Sequence, residues 1–477
     1  MSRGSIFQHS KNVLRCSNSI SYLSATKLFS FMPIQIKELV SSQERFNYRS
    51  PMKFGGRVVE DVVVYHVDVT LEDGNGKSVL GHGSMTMGNI WAWPTPDIPA
   101  DQTLEILIEL ADKITEAAGE LGEFEHPMLA LHEFESSLRG IAEAVENSKG
   151  LGEPIPQLAC LVAASPVDAA IHDAFGRLHN LNSFQTLGPS LLKQDLAHFL
   201  DDDFKGLFLS EFVRTKPQTQ LPLYHLVGAL DPVFGSWGKT RTDSDFPELL
   251  GDWIARDGLT HLKIKLAGDD FDWDVERVLD IDTAASIVQK DRKCTEWNYS
   301  LDFNEKCESI DYVVEFLKLI KTRNPDGFDR IQYIEQPTHR DLKKHPENKV
   351  HDAAKIKPVV IDESLLDYES LLLAREQGYS GIALKACKGQ TSSLLMAAAA
   401  QKNEMFLCVQ DLTCLGHNFL HSASLAAHVP TVAAIEGNGR QYCPEGNEQW
   451  AQQYPDLFLP QEGKIATEKL DQIGLGF

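Results

Sequence analysis

Positive charge is scarce in this sequence. Lysine and arginine number 45 against 68 aspartates and glutamates, a formal net charge of −23 at pH 7. Nucleic acid and anionic membrane surfaces need a basic face, so neither is an expected partner. Long apolar runs are also missing: none reaches the ~18 to 20 residues of a membrane span. The most apolar stretch, around Leu158 to Ala170, is broken by Pro166 and Asp168. The eight cysteines form no C-x-x-C pair and no regular spacing, which fits a reduced, cytosolic setting. No G-x-G-x-x-G opens a helix after a first strand, which leaves an open dinucleotide-binding sheet without support.

What remains is a soluble globular profile, 43% hydrophobic and 24% charged over 477 residues, too long for one ordinary core and expected to divide into about two domains. Residues 1–31 carry Arg3, Lys11, Arg15 and Lys27, many serines and no acid. Three readings stay open for them: a disordered tail, an upstream start with the folded protein beginning near Met32, or an organellar transit peptide, which would replace a cytoplasmic location by an organellar one. Residues 32–186 read as an α+β capping domain. Val62 to Val69 is rich in β-branched residues, Asp73-Gly74-Asn75-Gly76 supplies a hairpin turn, and Val79 to Met85 returns. Helical spacing follows over Thr103 to Leu121, Leu129 to Asn147 and Pro166 to Leu178. Residues 187–219 show no period and read as a connection or insertion.

From residue 220 to 440 short apolar runs alternate with helix-period segments. The proposed strands are Leu221–Gly228, His261–Leu266, Asn298–Asn304, Ile331–Gln336, Pro358–Glu363, Gly381–Lys385, Met405–Gln410 and Thr431–Glu436. Candidate helices between them include Asp245–Ala255, Val275–Val288, Ile310–Lys321, Tyr368–Glu376, Ser392–Lys402 and Asn418–Ala427. Strands separated by helices make a parallel sheet, and this number of units matches a (β/α)8 barrel. The fold expected is therefore α/β, a capping domain plus a (β/α)8-type barrel, with residues 441–477 packing back on the cap.

Barrel active sites lie at the C-terminal ends of the strands. Three successive strands end in carboxylates: Asp302 on the third, Glu335 on the fourth and Asp362 on the fifth. Neighbouring strands lie about 4.8 Å apart, so these acids converge and would repel strongly without a cation. All-oxygen ligation suits Mg2+, with Mn2+ as a substitute. Taken singly, each acid reads equally as a helix cap or a surface ion pair. Lys263 and Lys265 share one face of the second strand by alternation, and Lys385 ends the sixth. Lysine is costly to bury without a partner. Nearby cations and a metal would lower the pKa of Lys265 or Lys385 enough for one to act as a base, while the alternative is that each lysine only neutralises a carboxylate. Strands two and six face each other across an eight-stranded mouth, so a carboxylate substrate would hold its α-carbon between Lys265 and Lys385. No His-rich set stands at the strand ends, which counts against a zinc hydrolase. His417 and His421, four apart, read as ordinary helix residues or as a metal pair.

These residues resemble the enolase superfamily, in particular its muconate lactonizing enzyme-like branch. The likeness spans about Ile34 to Gly439. It rests on the K-x-K of Lys263 and Lys265, the D-x-N of Asp302 and Asn304, Glu335-Gln336-Pro337, Asp362-Glu363-Ser364 and the I-A-L-K ending at Lys385. Ser165-Pro166-Val167-Asp168-Ala169-Ala170, with Asp173 and Gly176, is similar to the helix leading from cap to barrel. The resemblance implies Mg2+ on Asp302, Glu335 and Asp362, with Lys265 and Lys385 as acid/base pair and Lys263 assisting. Asn304 and Glu363 would support the ligands from behind. Tyr48 to Gly55 and Gly81 to Trp93 would be cap loops over the substrate. Lys385 argues against the branch that places a His/Asp dyad on strands seven and six. Gly389 is followed by Gln390 where many relatives have paired glycines. Glu436-Gly437-Asn438-Gly439-Arg440 lacks the aspartate-rich motif usual in dipeptide epimerases, which leaves Glu436 and Arg440 as candidates for substrate contact. The expected function is an isomerase, a racemase or epimerase acting through an enediolate. A cycloisomerase, a syn-eliminating lyase or a non-enzymatic binding barrel are the alternatives. The expected partner is a small carboxylate substrate, and association into a homo-oligomer stays open.

Overall fold

The computed structural model describes residues 33–54, 57–234 and 246–477. The readings of residues 1–31 and of Met32, and the expectations at Gly55 and Asp245, lie outside the described residues. The cap opens with β1 (Ile34–Phe54), β2 (Arg57–Asp73) and β3 (Ser78–Thr86) in one antiparallel sheet of that order. Its second turn forms because Asp73 Oδ1 accepts the backbone N–H groups of Asn75 and Lys77, both at 2.9 Å, while Gly76 takes a φ of +80° at no steric cost. Tyr65, Val67, Val69 and Leu71 alternate onto one buried face, the period-two signature of a half-covered sheet.

Helices α1 (Asn89–Ala92), α2 (Ala100–Gly119), α3 (Pro127–Glu135), α4 (Leu138–Lys149) and α5 (Gln157–His179) follow. The single helix expected over Leu129–Asn147 is two. At the break the Ser136 and Ser137 hydroxyls bond back to the carbonyls of Glu133 and Phe134, at 2.7 and 2.6 Å, competing with continued helix. Helix α5 begins nine residues before the expected Pro166 and carries that proline inside. Proline supplies no N–H to the carbonyl of Val162, and Ser165 Oγ donates to it instead at 2.9 Å. By length and composition α5 could pass for a membrane span, but 89% of its most apolar window is buried, as expected of a helix that is apolar all round within a core. It lies directly on β3. A Cβ at Gly81 would meet the backbone nitrogen of Ala174 at 2.4 Å, and one at Gly83 the carbonyl oxygen of Pro166 at 2.1 Å.

The second unit is a closed parallel barrel of β4 (Gln220–Val227), β5 (His261–Lys265), β6 (Asn298–Asp302), β7 (Ile331–Glu335), β8 (Val359–Ile361), β9 (Gly381–Leu384), β10 (Phe406–Val409) and β11 (Val432–Glu436). Closure runs through β11 to β4, with Ile435 opposite Leu223. Helices α6 (Leu250–Asp257), α7 (Phe271–Arg292), α8 (Ile310–Arg323), α9 (Pro325–Arg330), α10 (His351–Ala354), α11 (Tyr368–Gln377), α12 (Gln390–Lys402) and α13 (His417–His428) connect the strands. The fold is thus an α/β capping domain joined to a TIM-type barrel. Helix α6 starts later than expected because Pro247, three residues before its first residue Leu250, holds the preceding backbone extended. Residues 187–219 are threaded by short 3-10 turns, Leu196–His198, Asp202–Phe204 and Leu209–Glu211. After the barrel, β12 (Lys464–Ala466) pairs antiparallel with β4. The last residues reach α5, where Leu475 N–H donates to Asp173 at 2.9 Å and Arg177 to the Phe477 carbonyl at 3.3 Å.

Candidate active site

The barrel interior is built in layers. One layer consists of Tyr224, Tyr333, Val360, Ala383, Cys408 and Ala434, packed on one another. Side chains alternate along a strand, so two residues further on, towards the C-terminal end, Leu226, Glu335, Asp362, Lys385, Gln410 and Glu436 must also face inwards. Strand register then aligns Lys265 with Asp302 and Asp302 with Glu335. All of these are buried. Three strand-end acids predicted from sequence, and the lysines predicted with them, therefore stand in one ring.

Lys263 is the hub. Its ammonium donates to Glu335 Oε1 at 2.8 Å and to Gln410 Oε1 and Glu436 Oε2, each at 3.1 Å, and lies 3.3 Å from Asp302 Oδ2. Lys265 donates to Asp302 Oδ2 at 2.5 Å. Lys385 stands 2.8 Å from Asp362 Oδ2. Lys388, unforeseen in the sequence, donates to the Asp362 carbonyl at 2.6 Å. Gln410 was proposed only as a strand end, yet its amide also donates to Glu335. Both residues could have been found by counting alternate positions and helix turns from Cys408 and Lys385.

Charge follows these contacts. Burial raises the Asp302 carboxyl, but Lys265 and Lys263 outweigh it and hold the group well below the usual range. Glu335 goes the other way, raised by burial and then by Asp302 and Asp362. Burial would lower Lys385, and the Asp362 carboxylate more than offsets it. An anion at 2.8 Å favours the Lys385 ammonium more than neighbouring cations disfavour it. Lys388 is the lysine shifted down, by burial and by Lys385.

The other residues proposed from sequence divide. Asn304, with a positive φ of 49°, donates its backbone N–H to Asp302 Oδ1 at 2.9 Å. Glu363 accepts the indole N–H of Trp91 at 3.0 Å, and burial, with Asp362 adding, pushes its carboxyl up to about 8. Glu436 lines the ring. Arg440 turns away from it, donating to Asp257 at 2.6 Å and reaching His225 at 3.0 Å. His417 and His421 also part: His417 reaches Ser84 at 3.1 Å and His421 reaches Gln390 at 2.9 Å.

A cavity of about 280 Å3 opens above the ring, between the cap and the strand ends, and reaches Lys263, Lys265, Lys385 and Glu436 below and Tyr48, Met87 and Trp91 above. The donor set fits a divalent cation. Three carboxylates lie in one buried ring, and Glu335 is driven towards its neutral form by its two acidic neighbours. The Lys263 ammonium stands among them as the compensating positive charge. Buried Asn304 Nδ2 and Glu363 Oε2 have no hydrogen-bond partner. Among the described residues no three His, Cys, Asp or Glu side chains are gathered closely enough to hold an ion as they stand; Lys263 bridges Asp302, Glu335 and Glu436, and Asp362 is held by Lys385.

Comparison with known proteins agrees with this architecture. Residues 245–477 match the family model described as enolase C-terminal domain-like. Among solved structures, the dipeptide epimerase from Enterococcus faecalis V583, complexed with Mg and the dipeptide L-Leu-L-Tyr, superposes with a TM-score of 0.59 at 15% identity, over 93% of this chain and 99% of that one. The muconate lactonizing enzyme from Pseudomonas fluorescens, complexed with muconolactone, gives 0.57 at 16% identity over 93% and 96%. The L-Ala-D/L-Glu epimerase from Bacillus subtilis gives 0.55 at 15% over 85% and 90%. At such identities the likeness is one of fold. None of the curated proteins compared matches the sequence.

Proposed function

We propose that this protein is a metal-dependent isomerase, a racemase or epimerase, that removes and returns the proton on the carbon beside a carboxylate. One observation carries the reading: Lys265 and Lys385 end strands four apart in an eight-stranded barrel and line the same cavity. Strands four apart face each other. A carbon held between them can lose its proton to one lysine as amine and gain one from the other as ammonium, on the opposite face, which inverts it.

Asp302, Glu335 and Asp362 would hold Mg2+, or Mn2+ in its place. When bound, the ion supplies positive charge that loosens the carboxylates' grip on the lysine protons and stabilises the negative charge left on the substrate by proton loss. Lys263 keeps Asp302 and Glu335 neutralised as a pair. The Asn304 backbone N–H fixes the Asp302 oxygen turned away from Lys265. Trp91 and Met87 cover the cavity and exclude water. The epimerase neighbours support the reaction class, the lysines lining the cavity support a small carboxylate substrate, and the cysteine content supports a cytoplasmic setting.

The test is α-carbon exchange. With Mg2+ and D2O, a panel of dipeptides, N-acyl amino acids and acid sugars is expected to contain a compound that takes up deuterium. Lys265→Ala and Lys385→Ala should each abolish uptake from one stereoisomer. Full turnover in Lys385→Ala with none in Lys265→Ala would replace racemisation by a one-base cycloisomerase or elimination. No uptake from any compound would overturn the reading.

A further inference from the structure

Trp91 is a cap residue that belongs to the apolar core and also makes polar contacts with the barrel. Helix α1, which carries it, is anchored within the cap by Asn89, whose amide donates to the Ala100 carbonyl at 2.7 Å and to Thr103 at 2.8 Å. From there the Trp91 indole N–H donates to Glu363 after β8 at 3.0 Å. Its backbone carbonyl accepts from Arg340 after β7 at 2.9 Å. The indole face lies 4.2 Å from the Lys385 ammonium, after β9, and 5.6 Å from that of Lys388. Arg340 is itself locked, donating to Glu305 through Nε at 2.7 Å and Nη2 at 2.5 Å. One residue of the cap, through its side chain and its backbone carbonyl, thus ties together the loops after three consecutive barrel strands, and only 2% of it is exposed.

Core packing accounts for the burial but not for the orientation. Beyond its apolar neighbours, this indole sets its face against an ammonium and its N–H on the Glu363 carboxyl group. Lysine hangs on a flexible four-carbon stem. Asp362 restrains the Lys385 head from one direction at 2.8 Å, and an aromatic face restrains it from a second while being unable to take its proton.

We propose that Trp91 is the positioning residue for Lys385: seating the cap places the indole against the ammonium and fixes the line along which Lys385 meets the reacting carbon. The inference rests on the two-lysine reading above. It makes cap closure and assembly of one half of the acid/base pair a single event, because α1 cannot lift from the barrel without releasing Lys385, Glu363 and Arg340 together.

The test uses the full-length protein with Mg2+ and compares Trp91→Leu, which loses both face and N–H, with Trp91→Phe, which keeps an aromatic face. Deuterium uptake is measured for D- and L-N-acetylmethionine and for the L,L and L,D forms of alanylphenylalanine. In Trp91→Leu, uptake from the stereoisomer served by Lys385, identified as the one silenced in Lys385→Ala, is expected to fall about tenfold in kcat, the size of one well-placed cation–π contact. KM and uptake from the other stereoisomer should barely change, and Trp91→Phe should recover most of the loss. Equal losses on both stereoisomers, or equal losses in both variants, would reduce Trp91 to packing and overturn the proposal. Crystal structures of the two variants decide the matter independently of substrate. Lys385 should leave Asp362 in Trp91→Leu and stay in Trp91→Phe, and an unmoved Lys385 in Trp91→Leu overturns the role. If the wild type exchanges none of these compounds, these structures still settle Trp91, and the failure falls on the proposed reaction.

Discussion

The Asp168 carboxylate, on a helix of the cap, accepts the backbone N–H of Gln390 at 2.7 Å and also that of Thr391 at 3.1 Å. A residue more than two hundred positions away in the chain therefore satisfies the first N–H groups of α12, the helix that follows Lys385 and whose own N-cap position is Gly389. Replacing it leaves two buried donors unsatisfied. Asp168→Ala is expected to lower stability by about 1–3 kcal/mol, read by urea unfolding. Losses confined to a few tenths would show that water or a neighbour replaces the cap.

His172 and His421 flank the same junction, bonded to Thr391 and Gln390 at 2.9 Å each. Burial depresses both to about 3 from an ordinary 6.5, with His172 adding to the effect on His421. Between pH ~6.5 and ~3 the unfolded chain binds protons that the folded one refuses, so stability falls as pH drops through that window. Thermal unfolding at stepped pH should show this decline, with a shallower slope in His172→Gln and His421→Gln. An unchanged slope in the double variant would assign the decline to other groups.

Lys263 is the positive charge shared by Asp302, Glu335 and Glu436. Lys263→Met keeps the volume and removes the charge, leaving three buried acids without their shared partner. Breaking a buried pair in this way costs about 3–5 kcal/mol. The expected result is a melting temperature several degrees lower that Mg2+ raises more than it raises the wild type, because the ion then compensates the acids by itself. Calorimetric unfolding with and without Mg2+ checks it, and an equal response of both proteins would count against ion binding at these residues.

The contact of β3 with α5 leaves no room for a side chain, since a Cβ on Gly83 would sit 2.1 Å from the Pro166 carbonyl. The two nearest obstacles, the Pro166 carbonyl oxygen and the Ala170 nitrogen at 2.5 Å, are backbone and cannot swing aside. Gly83→Ala should destabilise by about 1–3 kcal/mol or more through overpacking, with the melting temperature as readout. A neutral effect would mean that α5 can slide on the sheet.

The order of acids and lysines along the chain determined a good deal. Strand-end positions follow from a period of two, and register across adjacent parallel strands is local enough that Asp302, Glu335, Lys263 and Lys265 could be set side by side from sequence. Tertiary structure alone decided which partner each group keeps. Gln410 and Glu436 reach Lys263 across the barrel, Asp168 caps a helix of the other domain, Arg440 turns away to Asp257, and Trp91 comes from the cap to lie against Lys385. A one-dimensional pattern records which face a residue presents; the closing of the barrel and the seating of the cap fix what that face meets. Those contacts join residues well over a hundred positions apart, and no periodicity in the sequence encodes them.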